Sequence, residues 1–295
     1  MTAPTAAVLG MGRMGSAMAE RLAGQGVEVV VYNRTPDRAT ALAEKIGASV
    51  AATPAEAASR VEVVITMVAD DDAVREMFEG PDGIAVGIRQ GSVAVDMSTV
   101  LPDTIRAVAP RVQARSAGIL DAPVSGSVSS TLAGELTVMV GGESGDLERA
   151  RPILECLARR VFHLGPLGSG AVMKLAVNTL IFGLNGAVAE GLVLAERNGI
   201  DRALAYEVLA SSAAGAPMVG YKRANFVEPE TTPVAFSLAL ADKDLRLIRE
   251  LADASKTPMP QATVNLDTIQ AAERSVGEDL DFSMVASHLR QEGRR

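Results

Sequence analysis

Cysteine and histidine are scarce in this chain of 295 residues: Cys156 is the one cysteine, and His163 and His288 are the two histidines. A single thiol excludes an internal disulfide and a cysteine-built zinc site, so no metal is expected. Cys156 itself reads as core filler on a helix over 147–158. Basic excess is also missing. Lys and Arg number 28 against 36 Asp and Glu, for a net charge of −8, and no basic run exceeds the pairs Arg159-Arg160, Lys222-Arg223 and the terminal Arg294-Arg295. Nucleic acid is therefore not an expected partner. No low-complexity tract or internal repeat stands out, and the Gly/Ser patches at 141–145 and 165–170 read as turns. The longest stretch free of charge, 175–189, is shorter than the roughly 20 residues that span a bilayer and contains Asn178 and Asn185. No membrane span is expected. The opening Met1-Thr2-Ala3-Pro4 lacks the basic and apolar regions of a signal peptide, which makes the cytoplasm the expected location.

What is present begins almost at once. An apolar strand, Ala6-Ala7-Val8-Leu9, runs into Gly10-Met11-Gly12-Arg13-Met14-Gly15. In that spacing Gly10 permits a tight strand-to-helix turn, Gly12 lets backbone approach a pyrophosphate, and Gly15 lets the helix pack closely on the strand. A helix over 16–23, a stop at 24–26 and a second strand over 27–32 complete a dinucleotide-binding unit. The second strand ends in Asn33-Arg34-Thr35, where an acid would hold both ribose hydroxyls of NAD. Arg34 suits a 2′-phosphate instead, with Asn33 and Thr35 adding neutral donors, so NADP(H) is expected over NAD(H).

Strand and helix patterns then alternate. Helices are expected over 37–46, 54–58, 102–116 and 146–158, and strands over 49–51, 61–68, 92–96, 118–121, 136–140 and 161–164. Such uninterrupted apolar strands suit a parallel sheet covered on both faces. Beyond that the periodicity is helical, over 168–198, 202–212, 216–225, 238–254 and 260–275. The expected fold class is α/β: an N-terminal Rossmann-type, doubly wound domain over 1–165 and an all-helical substrate and oligomerisation domain over 166–295, joined by a long helix. The apolar surface of that helix points to a homodimer or larger homo-oligomer.

Lys174 stands inside the apolar helix. At about 100° per residue, Asn178 lies roughly 40° and Asn185 roughly 20° from it, so the three share one stripe that faces water, a partner or a site. With only two histidines available, Lys174 is the leading candidate for proton transfer. A snorkelling lysine on a solvated stripe is the alternative.

Five motifs, in order, resemble the β-hydroxyacid dehydrogenases, the family of 3-hydroxyisobutyrate dehydrogenase, with imine reductases as relatives. They are the glycine motif, Asp96-Met97-Ser98-Thr99, Asp121-Ala122-Pro123-Val124-Ser125-Gly126, the helix segment 170–178, and Lys243-Asp244-Leu245. The resemblance covers nearly the full length. It implies Lys174 as catalytic acid/base, Asn178 as orienting substrate, and Ser125 and Gly126 as holding the substrate carboxylate. It further implies Thr99 near the nicotinamide ribose, Lys243 near the cofactor, and Met67 and Val68 lining the nucleotide site. The reaction so implied is hydride transfer between NADP(H) and a short 3-hydroxyacid or its semialdehyde or keto form.

Read without the family, Asp121-Ala122-Pro123 is a strand-ending turn, Ser98 and Thr99 a helix cap, and Lys243-Asp244 an exposed helical start. Members of the family usually show a second glycine where this chain has Ser127, whose hydroxyl is a candidate contact for a polar substituent on the substrate. An NADPH-dependent imine reductase and a non-catalytic nucleotide-binding protein are the rival functions.

Overall fold

The computed structural model describes residues 4–292. They form two compact units, one ending at Lys174 and the next beginning at Leu175, within a single helix.

The first unit opens β1 (Thr5–Leu9), α1 (Arg13–Gly24), β2 (Glu28–Tyr32), α2 (Pro36–Ile46), β3 (Ser49–Val50), α3 (Pro54–Ser59) and β4 (Val63–Thr66). It continues α4 (Asp71–Glu79), α5 (Ile84–Gly87), β5 (Val93–Asp96), α6 (Pro102–Gln113) and β6 (Gly118–Asp121). These strands pair in the order β3-β2-β1-β4-β5-β6, all parallel. Period-two alternation divides each strand between two cores: Ala6, Val8, Val63 and Ile65 join one, and Ala7, Leu9, Val64 and Ala94 the other. Burial on both faces is why the strands read as unbroken apolar runs. Helices α2, α3 and α6 each start with proline, which costs no hydrogen bond there and presets the helical φ.

After β6 come β7 (Val124–Ser125), α7 (Val128–Ala133), β8 (Leu136–Gly142), α8 (Ser144–Leu157) and β9 (Ala158–Gly165). Strand β8 runs antiparallel to β6 and β7, and β9 pairs with it in parallel. Helices α5 and α7 and strand β7 are too short to show a period in the sequence, whereas α4, also absent from the expected elements, is capped by Asp70 and buries Val74, Met77 and Phe78 at helical spacing. The glycine patch expected as a turn at 141–145 begins inside β8. Gly141 and Gly142 pair with Asp121 and Leu120, and side chains there would collide with those two residues.

Helix α9 (Ser169–Arg197) leads from the first unit into the second, which is wholly helical: α10 (Arg202–Ser211), α11 (Pro217–Tyr221), α12 (Arg223–Val227), α13 (Leu238–Ser255) and α14 (Pro260–Val276). A 3-10 turn, Phe282–Met284, precedes α15 (Val285–Glu292). The first unit continues past residue 165 because the start of α9 is bonded to the end of β6. By length and composition α9 is apolar enough to cross a bilayer, because the helix extends past Lys174 and Glu190, which bound the uncharged run. Its Asn178 and Asn185 are nonetheless buried and hydrogen-bonded within the helical unit.

The single helix expected over 216–225 is divided at Lys222, whose ammonium turns inward to Asp281 at 2.6 Å. Around that pair Phe182, Phe236 and Phe282 pack edge to face or tilted. His288, on the unexpected α15, is buried and lies 3.0 Å from the hydroxyl of Ser275. Cys156 is half-buried on α8.

Candidate active site

Strand β1 lies between β2 and β4, and the chain order runs outward from it in both directions, which opens a crevice at the carboxyl ends of the strands. Gly10 turns there with φ +105°, its N–H bonded to Tyr32 O at 2.9 Å. A side chain on Gly10 would overlap the Met67 carbonyl, and one on Gly15 would overlap Gly10 itself. Around Gly12, by contrast, the space is open. Gly12 caps α1 without a side-chain acceptor, and no acid stands in its first turn. Amides and positive dipole end are thus left for an anion, which fits a dinucleotide pyrophosphate. Arg13 is exposed beside this opening, Met11 is buried, and Met14 packs half-buried against the core.

The end of β2 differs in one respect from its reading in the sequence. Asn33 turns its side chain onto the glycine loop: Oδ1 accepts the Met11 N–H at 2.8 Å, and Nδ2 donates to Thr35 O at 2.9 Å. It braces the loop. Arg34 and Thr35 are exposed, and so is Arg38 in the first turn of α2, a second cation that the sequence reading did not single out.

Asp96 organises the next two strand ends. Its Oδ1 accepts from Thr66 Oγ1 at 2.6 Å and from Ser98 Oγ at 2.8 Å. Ser98 Oγ in turn accepts the Val68 N–H at 3.0 Å. Val68 is thereby tied to the end of β5, and the half-buried Met67 and Val68 lie beside Gly10 of the glycine loop, while Thr99, next to Ser98, is half-buried as well. Burial pushes the Asp96 carboxyl up to about 6 against those hydrogen bonds.

Asp121, the register partner of Asp96 on β6, opens the segment leading to Ser125 and Gly126. Ser125 is half-buried in β7 and Gly126 is exposed. Ser127 caps α7: its Oγ accepts the Ser130 N–H at 3.2 Å and lies 2.7 Å from Ser129 Oγ. The hydroxyl considered for a substrate contact is engaged in shaping this loop. Lys174, half-buried, follows on α9.

In the helical unit, the polar stripe of α9 turns inward. Asn178 and Asn185 are 5% and 2% exposed, while apolar Leu180 and Leu194 are 68% and 67% exposed. Asn178 Nδ2 donates to Asp244 at 2.7 Å, and Asn185 Nδ2 donates to Phe282 O at 3.0 Å. Lys243 Nζ stands 2.8 Å from the other oxygen of Asp244. Asp244 was legible only as part of a motif; its link to Asn178 spans 66 positions and left no local trace.

Residues 5–165 match the family model described as the NAD binding domain of 6-phosphogluconate dehydrogenase. Residues 168–289 match that of NAD-binding of NADP-dependent 3-hydroxyisobutyrate dehydrogenase. The chain is 35% identical to a 3-hydroxyisobutyrate dehydrogenase of Pseudomonas aeruginosa, over 95% of this chain and 96% of that protein. It is 33% identical to glyoxylate/succinic semialdehyde reductase 2 of Arabidopsis thaliana, over 96% of this chain and 78% of that one. Among solved structures, Mycobacterium tuberculosis 3-hydroxyisobutyrate dehydrogenase with L-serine matches with a TM-score of 0.84 at 30% identity, covering 98% of this chain and 100% of that one. An imine reductase from Pseudomonas sp. shares the fold, with a TM-score of 0.68 at 24% identity and coverage of 98% and 100%. A glycine loop built to admit a pyrophosphate, followed by matches that run through the helical unit, has one consistent origin: the chain belongs to the β-hydroxyacid dehydrogenase family and is an NAD(P)-dependent oxidoreductase.

Proposed function

We propose that this oxidoreductase prefers NADP(H) and interconverts a short 3-hydroxyacid with its semialdehyde or keto form, using Lys174 as general acid/base. The observation that carries the reading is the placement of Lys174 just beyond the first turn of α9, which Asp121 bonds to the strand leading into Ser125 and Gly126. Similarity to the 3-hydroxyisobutyrate dehydrogenase and the glyoxylate/succinic semialdehyde reductase supports a small carboxylated substrate. Exposed Arg34 and Arg38, with no acid at the end of β2, support NADP(H).

Bound along the strand ends, the nicotinamide cofactor supplies or accepts the hydride. In oxidation, neutral Lys174 takes the hydroxyl proton; in reduction, its ammonium returns that proton to the alkoxide oxygen. Ser125 and the Gly126 N–H hold the substrate carboxylate and so orient the reacting carbon. Asn178, one turn from Lys174 on α9, orients the substrate with its amide tied to Asp244. Thr99 and Lys243 would hold the cofactor when it is bound, and Met67 and Val68 would line its site, as the family resemblance implies. Exposed Leu180, Leu194, Leu204, Val208 and Val264 on the helical unit support assembly into a homodimer or larger oligomer, which light scattering on the eluted protein measures.

The test is a rate panel with NADP⁺ and NAD⁺ against 3-hydroxyisobutyrate, 3-hydroxypropionate, 4-hydroxybutyrate, glycerate and serine. NADPH-dependent reduction of semialdehydes, glyoxylate and cyclic imines is run beside it. Hydroxyacid or semialdehyde turnover that vanishes in Lys174→Ala, with NADPH binding retained, is the expected result. Imine reduction alone would replace this reading with that of an imine reductase, and NADPH binding without turnover with that of a binding protein.

A further inference from the structure

We propose that Asp121 is a positioning residue for the reaction, one that holds the Lys174 helix in register with the Ser125–Gly126 segment. The inference rests on the reading of Lys174 as the acid/base.

Asp121 ends β6 and is 1% exposed. Its two oxygens are both used on the start of α9: Oδ1 accepts the Gly168 N–H and Oδ2 the Ala171 N–H, each at 2.7 Å. Amides in the first turn of a helix have no partner within it, so these are bonds that α9 could not make alone. The carboxylate reaches them across 47 and 50 positions of sequence.

The surroundings are built around this clamp. A side chain on Gly170 would overlap the Met139 carbonyl and come within 2.8 Å of Asp121 O. One on Gly141 would overlap Asp121 Oδ1 and come within 2.8 Å of Ser169 N. Both glycines are required by this close approach, which leaves the helix start no freedom to slide.

From Asp121 the chain reaches Ser125 in four residues. From Ala171 the helix reaches Lys174 in three, a rise of about 4.5 Å. One buried carboxylate thus joins the two groups that must meet the same substrate. Asp121 acts only through α9 and the β6 end. A displacement of about 1 Å between reacting groups costs on the order of 100-fold in rate, so loss of the clamp reads out in kcat.

The experiment compares the full-length parent with Asp121→Asn, Asp121→Ala and Gly170→Ala, measuring kcat, KM and the NADPH Kd. Asn keeps one acceptor oxygen and Ala keeps none. The expected order in kcat is parent, Asn, Ala, with a fall of about 10-fold or more for Ala and an NADPH Kd within about 3-fold throughout. Gly170→Ala retains the Asp121 carboxylate but brings a methyl group within 2.9 Å of its Oδ2 and against the Met139 carbonyl, which forces the helix start away from the clamp, and it should show the same kcat loss. Parent kcat in a folded Asp121→Ala, or an NADPH Kd that weakens in step with kcat, would overturn the proposal. If the Asp121 variants do not fold, Gly170→Ala decides it by the same two criteria. Failure of the parent to turn over any hydroxyacid or semialdehyde is a separate outcome: it overturns the underlying function, and this proposal with it.

Discussion

Asn178 donates its Nδ2 hydrogen to one oxygen of Asp244, and Lys243 stands against the other, so one buried carboxylate orients an amide and an ammonium on two helices. Under the proposed role of Asn178 in orienting substrate, the bond fixes which end of its amide faces the substrate. Asp244→Ala should lower kcat/KM on the order of 10- to 100-fold, because an unoriented amide no longer favours the productive pose. Losing the buried acceptor should also cost about 1–3 kcal/mol of stability. Asp244→Asn, which keeps an acceptor for Asn178, should fall between the parent and Ala in steady-state kinetics. Parent kcat/KM in a folded Asp244→Ala would remove Asn178 orientation from the mechanism.

The cofactor preference is tested at Arg34. Charge-assisted hydrogen bonds contribute about 1.5–3 kcal/mol, so Arg34→Ser should weaken NADPH binding on the order of 10- to 100-fold and leave NADH nearly unchanged. Arg38→Ser should act in the same direction, and the two together should bring the NADPH and NADH affinities close. Fluorescence titration with both nucleotides measures this directly. Equal losses for both would show that Arg34 contacts the shared part of the cofactor.

Asp96 makes a specific pH dependence. Burial raises its native value to about 6 from the ordinary 3.8. Between those values the native protein holds a proton that the unfolded chain releases, so stability falls as pH rises through the window, by up to about 3 kcal/mol. Asp96→Asn cannot titrate, yet its amide oxygen still accepts from Thr66 and Ser98. Urea unfolding at a series of pH values from 4 to 7.5 should show the variant gaining on the parent as pH rises. Parallel curves would mean that folding leaves the Asp96 carboxyl at its ordinary value.

Lys222 and Asp281 form a buried pair, their side chains 3% and 7% exposed. Burial alone would raise the Asp281 carboxyl, but the Lys222 charge and N–H bonds from Phe236 and Ser283 hold it below its ordinary value. Its contribution is therefore complete above about pH 4 and lost as pH falls through the native value. Lys222→Met should cost about 3–5 kcal/mol, because an unpaired carboxylate is left inside the helical unit. Lys222→Met combined with Asp281→Leu should recover much of that loss. Thermal unfolding of the three proteins gives the comparison, and an additive double variant would contradict the pairing.

The alternation of strands and helices, the glycine turn after β1, the change to helical periodicity and the order of the motifs are determined by the sequence alone. Each depends on neighbours within a few turns, where apolar spacing and φ preferences act directly. Lys174 and the arginine at the end of β2 were legible for the same reason, as residue types out of keeping with their local pattern. The tertiary structure decided which groups the carboxylates hold. Asp96 reaches Thr66, Asp121 reaches Gly168 and Ala171, and Asp244 reaches Asn178. It also turned Asn33 onto the glycine loop, used the Ser127 hydroxyl as a helix cap, and set Asn178 and Asn185 of α9 inward with Leu180 and Leu194 outward. A side chain of two or three bonds can satisfy its hydrogen bond with any group the fold brings near, so periodicity predicts its presence on a face and only packing selects its partner.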